Sequence, residues 1–334
     1  MTRRGNLGLL AAIVMLAAMT GCSDKSVGTP DEPDVCYEWL IFDENSGTSR
    51  ELMDIVFVDD TTGWSVGRGG VVAHTTNGGS SWTLQTSNTT ADLWGVSFAD
   101  VDRGFAVGAN GVFIATVDGG AHWDATSITS SDLTDVFAWG DLQVWAVGSR
   151  VILKSQDGGG HWEPLQTPEN IWYCVTFASS KLGWAVGLDD DGGVSPSRGS
   201  LWYTDDGDEW IPQGGTFSHP LLGVDFGTTT AGWMVGVGGD VHHSSDGGYN
   251  WIEQYPPTAL VLHGVDFLDD SLGIAVGDSA VIEITENGGE DWDELQGQGT
   301  YTLRGVAVVD GYTAFACGSD GYLIKIVKSE VNCP

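Results

Sequence analysis

The chain has 334 residues, with 13 Lys plus Arg against 46 Asp plus Glu, a formal net charge of −33, 49 Gly, 15 Trp and 5 Cys. That charge excludes nucleic acid and anionic lipid head groups as partners, because both are held by clustered Lys and Arg. With 41% hydrophobic and 18% charged residues the composition is that of a folded protein, and the excess of Gly and Trp points to many turns and many large aromatic plugs.

In chain order, Arg3 and Arg4 precede a mostly apolar run from Leu7 to Met19. A basic start followed by a run shorter than the ~20 residues of a membrane span reads as an export signal. The run ends in Met19-Thr20-Gly21-Cys22, which resembles the lipobox of bacterial lipoproteins. Residues 1–21 are thus expected to be cleaved and Cys22 acylated, which predicts an exported, lipid-anchored protein on the periplasmic or outer-membrane side of the envelope. Residues 22–35 are polar, acidic and carry Pro30 and Pro33, so they read as a flexible tether. Cys36 to Phe42 then looks like a lone strand, with Trp39 as its plug.

From here an internal repeat governs the chain. GWSVG (63–67), GFAVG (104–108), VWAVG (144–148), GWAVG (183–187), GWMVG (232–236), GIAVG (273–277) and AFACG (314–318) are seven copies whose last glycines are spaced 41, 40, 39, 49, 41 and 41. An alternating segment such as Leu93 to Phe98 precedes each copy, with period-two strand patterning. A third strand, a turn and a fourth strand opening with Trp follow. The turn reads Thr75, Asn77-Gly78-Gly79, Trp82, and recurs around Asp118, Asp157, Asp246 and Asn287, with a shortened copy at Asp206. The Asp or Asn side chain can bond turn amides, the glycines supply positive φ, and the indole fills a core gap. This turn resembles the Asp-box, or bacterial neuraminidase repeat. Its acidic residues are read as staples of a hairpin on the blade periphery rather than as catalytic carboxylates or calcium ligands.

Four short strands repeated seven times predict an all-β fold, a single seven-bladed β-propeller with four-stranded blades over residues 36–334. The last repeat supplies three strands, from Leu303 to about Lys328, so the N-terminal strand is expected to complete that blade and close the ring. Cys333 lies four residues after Ser329 and Cys36 three before Trp39, equivalent positions in a seven-residue Ser/Thr-to-Trp spacing, which predicts a Cys36–Cys333 disulfide. Cys174 and Cys317 fall in strands of different blades and read as buried thiols.

The succession GWAVG, strand, T-x-D-G-G-x-x-W, turn and L-x-G-V-x-F, over about residues 36–333, resembles the photosystem II assembly and stability factor family and its non-photosynthetic bacterial relatives. The resemblance implies a single seven-bladed propeller that is not an enzyme and that holds a membrane-protein intermediate. Photosynthetic members carry a patch of arginines. Here Arg50, Arg68, Arg103, Arg150, Arg198 and Arg304 are scattered over different repeats, which favours a relative outside photosynthesis.

Other chemistry finds little support. Sialidases, which share the Asp-box, need three convergent arginines, and the six here have no common repeat register. His74 and the His242-His243 pair fall in well-separated repeats, while His122 and His161 occupy the same turn position in neighbouring ones. Asp189-Asp190-Asp191 opens the one insertion, 188–199, without the D-x-D-x-D-G spacing of a calcium loop. No catalytic residue, metal site or cofactor is expected.

A binding surface is the better functional candidate. Aligning L-x-G-V-x-F places Met53, Trp94, Thr134, Tyr173, Leu222, His263 and Arg304 at one register near the mouth of the central channel, where residue type changes from repeat to repeat. Trp94, Tyr173, His263 and Arg304, with Arg198 from the insertion, are read either as partner-binding residues or, for those on strands, as innermost-strand packing. The reading is a monomeric extracytoplasmic scaffold, touching the membrane only through its lipid, that binds a protein partner in the envelope. Carbohydrate binding on the same face is the alternative, and a sialidase-like hydrolase a more distant one.

Overall fold

Seven four-stranded antiparallel sheets form a closed ring in the computed structural model, which describes residues 35–165, 170–189, 198–214 and 217–332. Blade 1 runs from the channel outward as Leu52–Phe57, Gly63–Gly67, Val71–Thr75 and Thr83–Leu84. The innermost strands of blades 2 to 7 are Leu93–Phe98, Leu133–Trp139, Asn170–Phe177, Leu221–Asp225, Leu262–Phe267 and Leu303–Asp310. Each packs against the next, and the last packs against Leu52–Phe57. Every second strand holds one copy of the GWAVG repeat.

Blade 7 is composite, as expected. Leu303–Asp310, Thr313–Gly318 and Tyr322–Asn332 are joined on the outside by Val35–Asn45, antiparallel from Val35 opposite Asn332 to Asn45 opposite Tyr322. This outer strand has 11 residues and runs past Phe42, whereas Thr83–Leu84 in blade 1 has 2 and Asp124–Ser127 in blade 2 has 4. In the other blades the Asp-box turn links the third strand to the fourth and ends their ladder early. In blade 7 the two come from opposite ends of the chain, so no turn cuts the pairing short.

Close packing explains the glycines of the repeat. A Cβ on any of the seven final glycines would lie 1.9 to 2.4 Å from a backbone carbonyl just ahead of, or at the start of, the innermost strand of the same blade, as for Gly108 and Asp92 O at 1.9 Å. The first glycine has a different neighbour. Gly63, Gly104, Gly183, Gly232 and Gly273 each lie under the ring of the Phe that ends their innermost strand, where a Cβ would come within 2.2 to 2.8 Å. Blades 3 and 7 trade the two sizes instead, with Ala138 opposite Val144 and Val308 opposite Ala314: a smaller residue in place of the Phe and a larger one in place of the Gly.

The seams between blades are aromatic. Trp64 of blade 1 stacks on Phe98 of blade 2 with ring centroids 3.6 Å apart, and Trp145 on Phe177, Trp184 on Phe226 and Trp233 on Phe267 repeat the contact at 3.9, 3.7 and 3.5 Å. The same Phe meets the Asp-box Trp of its own blade edge-on, as Phe98 meets Trp123 at 5.9 Å. Such stacked and edge-on pairs contribute roughly 0.5–1.5 kcal/mol each beyond area burial. Phe57 and Phe315, stacked at 4.6 Å, make the corresponding contact where blade 7 meets blade 1.

Gly108→Ala should therefore lower stability by about 2–4 kcal/mol, since the new methyl can be relieved only by moving backbone. Urea unfolding followed by tryptophan fluorescence measures it, and an unchanged midpoint would contradict the packing argument.

A candidate partner-binding face at the channel mouth

All seven aligned mouth positions share a feature that sequence did not reveal. The pairing of the first two strands skips a residue between Leu52 and Asp54, Leu93 and Gly95, Leu133 and Asp135, Trp172 and Cys174, Leu221 and Gly223, Leu262 and Gly264, and Leu303 and Gly305. The skipped residues are Met53, Trp94, Thr134, Tyr173, Leu222, His263 and Arg304, and all are half-buried. Each thus sits at a β-bulge, which turns a side chain out of the ladder and is common beside functional sites. Thr134 spends its hydroxyl inside the fold, donating to Trp172 O at 2.8 Å. Trp94 in blade 2 and Tyr173 in blade 4 flank it.

His263 and Arg304 come together. His263 Nε2 lies 2.9 Å from Asp278 Oδ1, and Arg304 Nη1 lies 3.3 Å from the same ring nitrogen. Arg304 Nε donates to Glu51 Oε1 at 3.0 Å, while Arg68 Nε meets Glu51 Oε2 at 2.7 Å. Burial, aided by the Arg304 guanidinium, holds His263 below the ordinary histidine range against the pull of Asp278. Arg50 joins this group, its Nη1 donating to Gly69 O at 3.1 Å. The expectation of scattered arginines is thus corrected for Arg50, Arg68 and Arg304. Ring closure brings the start of blade 7 against the start of blade 1, although 253 residues separate Arg304 from Glu51. Arg198 is exposed where the insertion rejoins blade 4 between its second and third strands. Asp189 is exposed and accepts from Asn170 Nδ2 at 3.2 Å, while Asp190 and Asp191 lie outside the described residues.

Below the mouth, side chains of the innermost strands tie blade to blade. Asp54 Oδ2 accepts from Val96 N at 2.8 Å, Asp135 Oδ2 from Val175 N at 2.9 Å, Asp225 Oδ2 from Phe267 N at 2.9 Å and Asp266 Oδ2 from Val308 N at 2.6 Å. Ser97 Oγ accepts from Ala138 N at 3.1 Å, and Cys174 Sγ approaches Val224 O at 3.6 Å. With Arg304 and Glu51 between blades 7 and 1, every seam has such a tie. Sequence reasoning missed this belt, whose signal was an Asp placed among apolar residues in an innermost strand. Burial, then the nearby Asp135 carboxylate, pushes Asp54 up to about 8 despite its two amide donors, and burial raises Asp135 to about 6.

The Asp-box side chains are occupied by their own turns. Asp118 Oδ1 accepts from Thr116 Oγ1 and His122 N, both at 2.9 Å, and its Oδ2 lies 2.7 Å from His122 Nδ1. Asp157 does the same with Ser155 and His161, and Asp246 with Ser244 and Asn250. Asn77 and Asn287 accept from Ser81 N and Asp291 N at 3.0 Å, and in the shortened turn Asp206 accepts from Asp208 N and Glu209 N at 2.8 Å. Hydrogen bonds from His122 and His161 hold Asp118 and Asp157 down to about 2, the opposite of what a general acid requires. The turns also do more than staple a hairpin. Gly119 O accepts from Trp64 Nε1 at 3.3 Å and Gln85 Nε2 at 2.9 Å, Gly207 O from Trp145 Nε1 at 3.0 Å and Gly288 O from Trp233 Nε1 at 3.2 Å, so each docks on the preceding blade.

Among the described residues no group of three or more His, Cys, Asp and Glu is arranged to hold a metal ion. Cys174 and Cys317 are free thiols. Cys22, residues 1–34 and Cys333 lie outside the described residues.

A raised carboxyl pKa gives Asp54 a defined pH signature. The fold favours its protonated form, so its contribution is full below the unfolded value of roughly 4 and is lost as pH rises through about 8. Thermal midpoints measured across that window should fall less steeply for Asp54→Asn than for the unaltered chain, and identical slopes would refute the assignment.

The family model described as photosynthesis system II assembly factor YCF48 matches residues 82–167. No curated protein is significantly similar to the chain. Among solved structures, YCF48 bound to D1 peptide is similar at 20% identity and TM-score 0.72, covering 89% of this chain and 99% of that one. YCF48 from Cyanidioschyzon merolae is similar at 21% identity and TM-score 0.71, over 85% of this chain and 98% of that one. The WD40 propeller domain of Doa1 follows at 12% identity and TM-score 0.67, over 86% and 97%. At these identities the structural likeness concerns the fold. The chain is a seven-bladed Asp-box propeller resembling the YCF48 assembly factors, with the family model's match carried by residues 82–167.

Proposed function

We propose that this protein is a non-catalytic scaffold that holds a protein partner on the channel-mouth face, in the assembly or stabilisation of a membrane or envelope complex. The carrying observation is the ring of bulged positions, where a rigid frame presents Trp94, Tyr173, His263 and Arg304 half-buried but turned out of the ladder. A preorganised surface of this kind binds at little ordering cost, and Trp, Tyr and Arg are the residues that most often carry binding energy. Arg50, Arg68, Arg198 and Arg304 lie on this face, Arg68 and Arg304 sharing Glu51, so guanidinium groups are at hand for an acidic or polar partner segment. The similar YCF48 bound to D1 peptide supports a protein rather than a sugar as occupant.

A photo-crosslinker at position 94 of the full chain, in its native envelope, should trap one protein that also binds the purified chain. Trp94→Ala/Tyr173→Ala and Arg304→Glu should each weaken that binding about tenfold or more. A partner held equally well by these variants would overturn the choice of face, and polysaccharide captured without protein would replace the reading with carbohydrate binding.

The same proposal places the molecule outside the cytoplasm, anchored through acylated Cys22 and fastened by a Cys36–Cys333 disulfide. The ladder that sets Cys36 opposite Val331 ends at Asn332, next to Cys333, and Cys36 is not among the free thiols. Joining such distant positions would stabilise the ring by on the order of 4 kcal/mol. Non-reducing peptide mapping of the envelope form should find Cys36 and Cys333 in one linked pair and an acylated Cys22 at the amino terminus. An uncleaved leader or a free Cys333 thiol would refute the corresponding half.

A further inference from the structure

The rim between blades 4 and 5 departs from the repeat. In the middle of the third strand, where the other blades carry Ala73, Ile114, Leu153, Trp202, Glu283 and Ile324, blade 5 carries the one histidine, His242. In the Asp-box, where the other full-length turns carry Ser80, Ala121, Gly160 and Glu290, blade 5 carries Tyr249. Both residues line a groove of about 310 Å³, together with Gln213, Phe217, Trp251 and Glu253.

Its polar groups are left with capacity. Gln213 Nε2 donates to Gly248 O and, at 3.0 Å, to Tyr249 O, which fixes the amide, and the buried Oε1 has no partner. In the seam between blades 1 and 2 the equivalent Gln85 Oε1 accepts from Trp123 Nε1 at 3.1 Å. Here Trp251 Nε1 is turned to Gly248 O at 3.0 Å, so the acceptor is left over, as it also is at Gln254 in the next seam. A buried acceptor without a donor costs free energy and calls for an explanation. His242 meets Phe217 edge-on at 5.1 Å and is half-buried, and burial keeps its imidazole neutral, with one nitrogen to donate and one to accept. Tyr249 is 66% exposed, a large open ring at the lip. Glu253 accepts from Tyr255 Oη at 3.1 Å, and no Lys or Arg lines the groove.

We propose that this groove is a binding site for an uncharged saccharide, with one sugar ring on Tyr249 and its hydroxyls against His242 and Glu253. A sugar has an apolar C–H face beside a rim of hydroxyls, which matches an open aromatic ring beside a neutral imidazole and the Glu253 carboxylate. A carboxylate with no facing cation disfavours acidic sugars. The site is on the rim, so its fate is independent of the protein-binding reading of the mouth.

Nuclear magnetic resonance titration of the isotopically labelled full chain with cellotriose, maltotriose, N-acetylchitotriose and sialyllactose tests this. At least one neutral trisaccharide should give saturable shifts centred on Tyr249 and His242, stronger than sialyllactose gives. Tyr249→Ala should weaken binding about tenfold, Tyr249→Phe should retain most of it, and Trp94→Ala should leave it unchanged. Tyr249 is exposed enough for these exchanges to spare the fold. No saturable response to any neutral sugar, tighter binding of sialyllactose, or shifts that persist in Tyr249→Ala would overturn the proposal.

Discussion

A flat aromatic contact between neighbouring blades, as where the Trp64 indole lies on the Phe98 ring 3.6 Å away, underlies the rest of the structure. Two planar groups at that spacing require the sheets that carry them to face one another closely, and this leaves no room for a Cβ under Phe98, where the chain has Gly104. The indole nitrogen in the seam is satisfied by Gly119 O of the next blade's turn, so the Asp-box must keep a shape that aims this carbonyl backward. Asp118 holds that shape by accepting from Thr116 and His122. Stack, glycine and turn are therefore one unit, repeated around the ring with substitutions that compensate one another, as Ala138 opposite Val144 does in blade 3.

The hub is held by a different chemistry. Where the seven innermost strands converge, backbone amides of the next blade donate to Asp54, Ser97, Asp135, Asp225 and Asp266. Burying carboxyls there costs desolvation, which shows in the raised pKa of Asp54 and Asp135, and the amide donors offset part of that cost. Packing seals the rim and hydrogen bonds seal the hub, so the bulged residues at the mouth stand on a support that is rigid from both sides. That rigidity makes Trp94, Tyr173, His263 and Arg304 suitable for recognition, since little conformational freedom remains for a partner to remove.

The two candidate surfaces arise from departures from the repeat. At the mouth, the bulge frees one position per blade from the ladder, and its residue type varies from Met53 to Arg304. At the rim between blades 4 and 5, His242 and Tyr249 stand where the other copies carry neither His nor Tyr, and Trp251 turns away from Gln213. Where a repeat can use the same side chain in every copy, packing is a sufficient reason for it. Where one copy carries a polar or aromatic exception with unused hydrogen-bonding capacity, packing alone does not account for it.

Much of the architecture was legible in the sequence because propeller contacts recur at a fixed chain spacing. The 39- to 49-residue interval, the period-two segments, the Asp-box turns and the missing strand of the last repeat were enough for the blade count, the strand order and the composite seventh blade. The glycines were read as turn residues, and that the repeat glycines make room for a neighbouring carbonyl or Phe ring came only from the structure. Only the tertiary structure decided what happens across the seams and around the closed ring. It set Arg304 on Glu51 beside Arg68, turned the Asp-box carbonyls of Gly119, Gly207 and Gly288 to the blade before them, and left Gln213 Oε1 without a donor. The physical reason is that strand pairing and turn chemistry act within a few residues and leave a local pattern. Contacts between blades depend on the angle at which finished sheets meet, and no single stretch of chain encodes that angle.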